Sequence, residues 1–165
     1  MITEITDNSN LEESVRVLRA SFLTVADDFN LTTENCPTNP AFVTLERLAK
    51  LKEKGVRFFG LFDDNRQIGF VAVEKANDSV YYMERLAILP EFRHRGYGKR
   101  LLDFVDDYVK KQNGAKISIG IIDANTVLKD WYRSHGYVET GVRHFEHLPF
   151  DVCFMEKILR TPDID

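Results

Sequence analysis

The sequence predicts an α/β protein: a mixed, mostly antiparallel, twisted sheet of about seven strands with helices on both faces. Apolar residues recur at helical spacing through the first third of the chain and at period two across the middle. Two tight polar turns divide that middle stretch into an antiparallel meander. A strand, a helix and a further strand then follow in an order that implies a right-handed parallel crossover.

In chain order, a short strand at Ile2 to Thr6 leads into Asp7-Asn8-Ser9-Asn10, which supplies N-cap chemistry. Leu11, Val15, Leu18, Phe22 and Val25 form the stripe of an amphipathic helix that fades at Asp27-Asp28-Phe29-Asn30. A Pro/Asn-rich loop runs from Thr33 to Pro40, where each proline disfavours helix at the residue before it. A second helix carries Phe42, Leu45, Leu48 and Leu51 on one face, with Gly55 as its C-terminal cap.

Val56 to Phe62, Gln67 to Glu74 and Val80 to Leu89 read as the three strands of the meander, joined by Asp63–Arg66 and Ala76–Ser79. A helix starts near Gly98, with Leu101, Leu102, Val105, Tyr108 and Val109 on its apolar face, and ends at Gly114. Lys116 to Ile122 is a strand, Asn125 to His135 a short helix ending at Gly136, and Tyr137 to Phe145 and Val152 to Ile158 a closing hairpin. The element order is β-α-α-β-β-β-α-β-α-β-β.

Composition narrows the function. With 165 residues, 44% hydrophobic, 29% charged and 12% aromatic, the chain reads as one globular domain over 1–165 that needs no disulfide or metal staple. Runs such as Phe70-Val71-Ala72-Val73 are far shorter than the roughly 18 apolar residues of a membrane span. Met1-Ile2-Thr3-Glu4-Ile5 lacks a secretory pattern, and Cys36 and Cys153 have no pairing motif, so a cytoplasmic protein with free thiols is expected. A net charge of −4 argues against nucleic acid as a partner.

The most informative segment is Pro90-Glu91-Phe92-Arg93-His94-Arg95-Gly96-Tyr97-Gly98-Lys99-Arg100, between a strand and a helix. Glycines let the backbone turn with positive φ and let a ligand approach closely. The helix start leaves about four N–H groups unpaired at the positive end of the helix dipole. With Arg93, Arg95, Lys99 and Arg100 as mobile cations, these are the parts of a phosphate cradle. A dinucleotide fingerprint fails because Leu101 replaces its third glycine, and a P-loop fails because Arg100 follows Lys99. The competing reading is a plain strand-to-helix turn.

Arg93-His94-Arg95-Gly96-Tyr97-Gly98, after Leu86-Ala87-Ile88-Leu89-Pro90, resembles the Arg/Gln-x-x-Gly-x-Gly/Ala signature of the GCN5-related N-acetyltransferases (GNAT). Asn125, Tyr132 and Gly136-Tyr137 match a second motif of that family, and the element order fits its fold over nearly the whole chain. The resemblance implies an acetyl-CoA-dependent N-acetyltransferase acting by direct attack in a ternary complex, with acetyl-CoA as cosubstrate and no metal. It implies that backbone N–H groups of Arg93, His94, Arg95, Gly96, Tyr97, Gly98 and Lys99 bind the coenzyme's pyrophosphate. Leu86, Ala87 and Ile88 would pair with the pantetheine arm through their backbone, with an N–H near Ile88 as the oxyanion donor.

The same resemblance makes Asn125 a pantetheine ligand, although Asn is also a preferred helix N-cap. Tyr132 becomes the acid for the departing thiolate, against a plain core aromatic beside Trp131. Glu84 is the candidate base: period-two alternation puts it on the face of Leu86 and Ile88, while the rival reading pairs it with Arg85. His144, Glu146 and His147 lack a metal-ligand spacing, and Cys153 reads as core beside Met155. The acceptor is expected to be a small-molecule or peptide amine entering between Phe29–Phe42 and Phe145–Phe150, with a homodimer through the late strands as an open alternative. A non-catalytic acyl-CoA sensor of the same fold is the alternative function.

Overall fold

The structure, a computed structural model, describes residues 1–160. Its elements are β1 (Ile2–Glu4), α1 (Asn8–Asp28), α2 (Leu45–Glu53), β2 (Arg57–Asp63), β3 (Arg66–Lys75), β4 (Val80–Ile88), α3 (Tyr97–Lys111), β5 (Lys116–Ile122), α4 (Thr126–Ser134), β6 (Val138–His144) and β7 (Asp151–Ile158). The sequence-predicted α/β architecture and element order are those observed. Among the described residues, no helix is long and apolar enough to cross a membrane.

Local chemistry sets the helix ends. The Asp7 side chain accepts the Asn10 N–H at 2.8 Å and caps α1. Thr44 caps α2 by accepting the Arg47 N–H. Phe42, expected on that second helix, lies instead in a separate 3₁₀ turn, Pro40–Phe42. Asn39 drives the difference: its side chain accepts the Ala41 N–H and closes the turn early, and the backbone extends again at Val43 before Thr44 restarts the helix. Gly55, at φ +98, ends α2 as predicted, with Val56 N–H bound to Leu51 O and Gly55 N–H to Lys52 O.

The seven strands lie in the order β1-β2-β3-β4-β5-β7-β6. All neighbours are antiparallel except β4 and β5, the parallel pair of the crossover. The closing hairpin folds back so that β7, not β6, lies beside β5.

Strand register assigns side chains to faces, because directly opposed residues share one. Phe58, Phe70, Ala72 and Glu84 point to the first face, where Gln67 hydrogen-bonds Ser14 of α1 in the core. Phe59, Val71, Val73 and Met83 point to the second, where Phe59 packs on Phe104 and Tyr108 of α3 at 4.8 and 5.1 Å. Thus α1, with α2 beside it, covers the first face, and α3 and α4 cover the second.

At the end of α3 the chain passes so close to its own core that Gly114 has no room for a side chain. A Cβ there would lie 2.4 Å from Val109 Cγ1 and 2.8 Å from the Tyr81 ring. Gly114→Ala is therefore expected to destabilise the fold by about 1–3 kcal/mol, the range for overpacking. Denaturant unfolding would measure it, and an unchanged midpoint would refute the packing assignment.

Candidate active site

The parallel pair β4–β5 is short. Only Val80, Tyr81 and Tyr82 are opposed to Lys116, Ile117 and Ser118. Beyond them β4 continues along β3 as far as Ile88, opposite Gly69, while β5 continues along β7 as far as Ile122, opposite Val152. Two strands that follow different neighbours must diverge, and the sheet opens into a wedge. Along it, the β4 backbone from Met83 to Ile88 has no partner strand on its β5 side.

A β-bulge lies on the β4 wall of this wedge. Ala72 opposes Glu84 and Phe70 opposes Ala87, so Arg85 and Leu86 share the single position opposite Val71. Arg85 takes up the extra residue in the left-handed region, φ +55. The bulge corrects the sequence-based face assignment. Glu84 shares the first face with Ala87, whereas Ile88, opposite Gly69, points to the second. Period-two alternation fails at a bulge because one residue is added without a pairing position.

Glu84 is half-buried, and its carboxylate accepts a hydrogen bond from Arg85 Nη1 at 2.8 Å. Burial holds its carboxyl above the ordinary value, opposed by the Arg85 charge and reinforced by the Glu74 carboxylate. The pairing with Arg85 is therefore real, and it leaves Glu84 with a raised affinity for a proton.

At the mouth of the wedge, the turn from Arg93 to Gly96 leads into α3. His94 and Gly96 both have positive φ, +62 and +84, and Gly96 is the N-cap. Within the described residues, the backbone N–H groups of His94, Arg95, Gly96, Tyr97, Gly98 and Lys99 find no protein acceptor. The two glycines serve different ends. Gly96 supplies the left-handed conformation and has open space around it. A Cβ on Gly98 would instead meet the Trp131 ring at 3.0 Å, so Gly98 lets α4 approach α3.

The cations of this turn are not equally mobile, which corrects the reading of the loop. Arg93 is turned inward: Nη2 donates to Ser21 O at 2.7 Å, Nη1 to Thr24 Oγ1 at 3.0 Å and Nε to Ile88 O at 3.2 Å. It clamps the turn to α1 and to the end of β4, and its burial lowers its proton affinity. Lys99 pairs with Asp103 at 2.7 Å, while Arg95 lies over the Phe92 ring and Arg100 over Tyr97. Only the chemistry of the turn was readable from sequence; Arg93's capture by α1 depends on a contact 69 to 72 residues away.

On the other wall, Asn125 caps α4, its Oδ1 accepting the Leu128 N–H at 3.2 Å. That bond uses the side-chain oxygen and leaves the amide N–H groups without a partner among the described residues. Tyr132, two turns further along α4, is buried between Trp131 and Tyr137, with ring centroids 5.0 and 5.3 Å away. Burial alone pushes its phenol well above the ordinary value. Gly136, at φ +95, lets the Tyr137 N–H return to Tyr132 O at 3.1 Å and so fixes the two rings against each other.

A hub that sequence reasoning missed holds α4 in place. Lys129 Nζ lies 2.6 Å from Asp123 Oδ1 at the end of β5 and 3.1 Å from Glu139 Oε1 on β6. Arg133 also reaches Glu139, at 2.7 Å. Asp123, Glu139 and Cys153 gather their ligand atoms within 4.8 Å, a grouping that resembles a metal site, yet Lys129 already supplies its positive charge. Hydrogen bonds from Cys153, Arg133 and Lys129 hold the Glu139 carboxyl at about 2, and burial pushes the Cys153 thiol up to about 11. His144 bonds Asp151 at 2.9 Å, while His147 stacks edge-on with Phe145.

The expected acceptor side is brought together on the first face. Ala26, Leu31, Cys36, Ala41 and Ile122 form a second apolar cluster, against which Phe22, Phe29, Phe42, Leu148 and Phe150 pack. The end of α1, the Pro/Asn-rich loop and the β6–β7 loop thus meet beside the wedge.

A sheet split between two parallel strands, with free N–H groups at its mouth, is the framework of an acyltransferase of the GNAT type. The chain belongs to the acetyltransferase (GNAT) family, whose family model matches residues 22–137, well over half of its length. Solved structures with the same fold include the ribosomal-protein-S18-alanine N-acetyltransferase of Escherichia coli, with a TM-score of 0.78 and 15% identity over 99% of this chain and 96% of that one. The PaiA N-acetyltransferase of Thermoplasma acidophilum, in complex with coenzyme A, has a TM-score of 0.75 and 22% identity over 96% and 99% of the two chains. An aminoglycoside 6′-N-acetyltransferase complexed with coenzyme A gives 0.73 and 16% over 100% and 99%.

Proposed function

We propose that this protein transfers the acetyl group of acetyl-CoA to a primary amine by direct attack in a ternary complex. The observation that carries the reading is the wedge, an unpaired stretch of β4 backbone that leads to unpaired N–H groups at the α3 N-terminus. A pantetheine arm is an extended chain with two amide groups, suited to pair with a strand edge. A diphosphate matches the free N–H groups of residues 94–99.

In this reading the thioester lies in the wedge, and a β4 N–H between Leu86 and Ile88 polarises its carbonyl and holds the developing oxyanion. Asn125 donates its free amide N–H to the pantetheine. Glu84 approaches from the first face and Tyr132 from the second, so that attack and departure occur on opposite sides of the sheet. Glu84 takes the proton of the incoming ammonium, whose ordinary value is near 10.4 for a lysine-like amine.

Tyr132 meets the departing thiolate. A thiol ionises near 8.5, well below this buried phenol, so full transfer of the phenolic proton is uphill. Tyr132 therefore acts as a hydrogen-bond donor to the thiolate sulfur rather than as a complete proton donor.

Thiol release from acetyl-CoA across an amine panel tests the reading and separates it from a non-catalytic acyl-CoA sensor, which would bind without turnover. Tyr132→Phe is expected to lower kcat about 10- to 100-fold, at or below the bottom of the range for full acid–base catalysis because only a hydrogen bond is lost, with coenzyme affinity retained. An unchanged kcat would remove Tyr132 from the chemistry. For Glu84 the base is active only when deprotonated, so the rate rises as pH passes upward through its value, which burial places above the ordinary carboxylate range. Glu84→Gln should abolish that acidic limb and lower the rate; an unaltered pH profile would refute the assignment.

A further inference from the structure

We infer that Asp106 of α3 positions Tyr132 indirectly: one internal water joins its carboxylate to the Tyr137 hydroxyl, and the Tyr137 ring sets the Tyr132 phenol in place. The inference rests on the acyl-transfer reading above and adds two positioning residues to that same site.

Strand register brings these residues together. Val138 and Glu139 oppose Glu156 and Met155, so one step back along the same register Tyr137 comes opposite Lys157. Lys157 in turn opposes Ile117, and Ile117 opposes Tyr81. Tyr81 shares the second face with Met83, two residues on, so Tyr137 and Lys157 both point to the face that α3 covers. There Lys157 Nζ lies 2.5 Å from Asp106 Oδ2. Gly136 makes this reach possible: a Cβ on it would stand 3.2 Å from Lys157 Cε, so the lysine stem lies along bare backbone.

Two polar atoms in this layer are left over. Tyr137 is 2% exposed and Asp106 8%, yet neither Tyr137 Oη nor Asp106 Oδ1 has a hydrogen-bond partner among the described residues. Buried polar groups of this kind are nearly always satisfied, by protein or by ordered water. The two are complementary. Burial first, then the Tyr132 phenol and the Asp106 carboxylate, push the Tyr137 phenol far above its ordinary value, so Oη stays a neutral donor. Asp106, the ionic partner of Lys157, offers Oδ1 as an acceptor. The two atoms do not bond directly, and a water that accepts from Tyr137 and donates to Asp106 satisfies both. The same Tyr137 ring stands edge-on to Tyr132, at 5.3 Å and 71°. The series Lys157, Asp106, water, Tyr137 thus anchors the Tyr132 ring to α3 and β7.

The test uses the full chain and the best acceptor of the amine panel. Tyr137→Phe keeps the ring and deletes the hydroxyl. Asp106→Asn keeps the shape, but Lys157 claims the one amide oxygen and turns the NH₂ group toward the water, a donor where an acceptor stood. Each variant is expected to lower kcat about 2- to 10-fold, the equivalent of one hydrogen bond, with KM for acetyl-CoA unchanged. In a Tyr132→Phe background neither should lower kcat further, a coupling that a merely structural role would not produce. A crystal structure of the unsubstituted chain is expected to show one water within hydrogen-bond distance of both Tyr137 Oη and Asp106 Oδ1, and Tyr137→Phe to lose it. Should Asp106→Asn not fold, Tyr137→Phe and that water decide the matter. Equal losses in both backgrounds, an unchanged kcat in Tyr137→Phe, or no water between the two atoms would overturn the inference while leaving acetyl transfer intact. Absence of thiol release by the unsubstituted chain with every amine would overturn the acyl-transfer reading, and the positioning role with it.

Discussion

The parting of β4 from β5 after three paired residues is the constraint on which the rest of the molecule depends. In an ordinary parallel pair, the backbone groups of both strands would be consumed by the ladder. Here β4 is held by β3 and β5 by β7, each to its end, so the divergence leaves no strand without support. The unpaired edges face each other across a gap instead of facing bulk solvent at the rim of the sheet. The bulge at Arg85–Leu86 adds local twist to one wall and separates Glu84 from the alternation of the residues that follow.

Everything placed around the wedge is fixed by contacts outside it. Arg93 ties the glycine-bearing turn to Ser21 and Thr24 of α1, so that the same residue borders the turn and the second apolar cluster. Lys129 ties α4 to β5 and β6 through two carboxylates, and α4 carries both Asn125 and Tyr132. Such pre-set geometry is what a group transfer needs, since small displacements of the reacting groups are costly. The overall charge of −4 says little about this site; the local arrangement of cations and free N–H groups decides it.

Much of this was legible in the sequence because it is local. Helix stripes, the caps at Asp7 and Gly55, the two tight turns and the glycine-bearing turn all follow from residues within a few positions of one another. What escaped depends on distant contacts or on a change of register. Period two put Glu84 with Ile88, because a bulge leaves no mark in an apolar pattern that remains half-buried on both sides. Gly98 looked like room for a ligand but accommodates Trp131, which lies 33 positions on in the chain. Phe42 had helical spacing, and the Asn39 cap overrode it.

If the open edge of β4 seats the pantetheine arm, amide hydrogen exchange shows it most directly. In the free protein the wedge-facing N–H groups of residues 83–88 lack a partner and should exchange quickly, as should those of 94–99. Saturating coenzyme A is predicted to slow both sets together while leaving the edge strand β6 unchanged. Protection confined to 94–99, with 83–88 exchanging as before, would place the ligand's phosphates at the turn but contradict the account of the wedge.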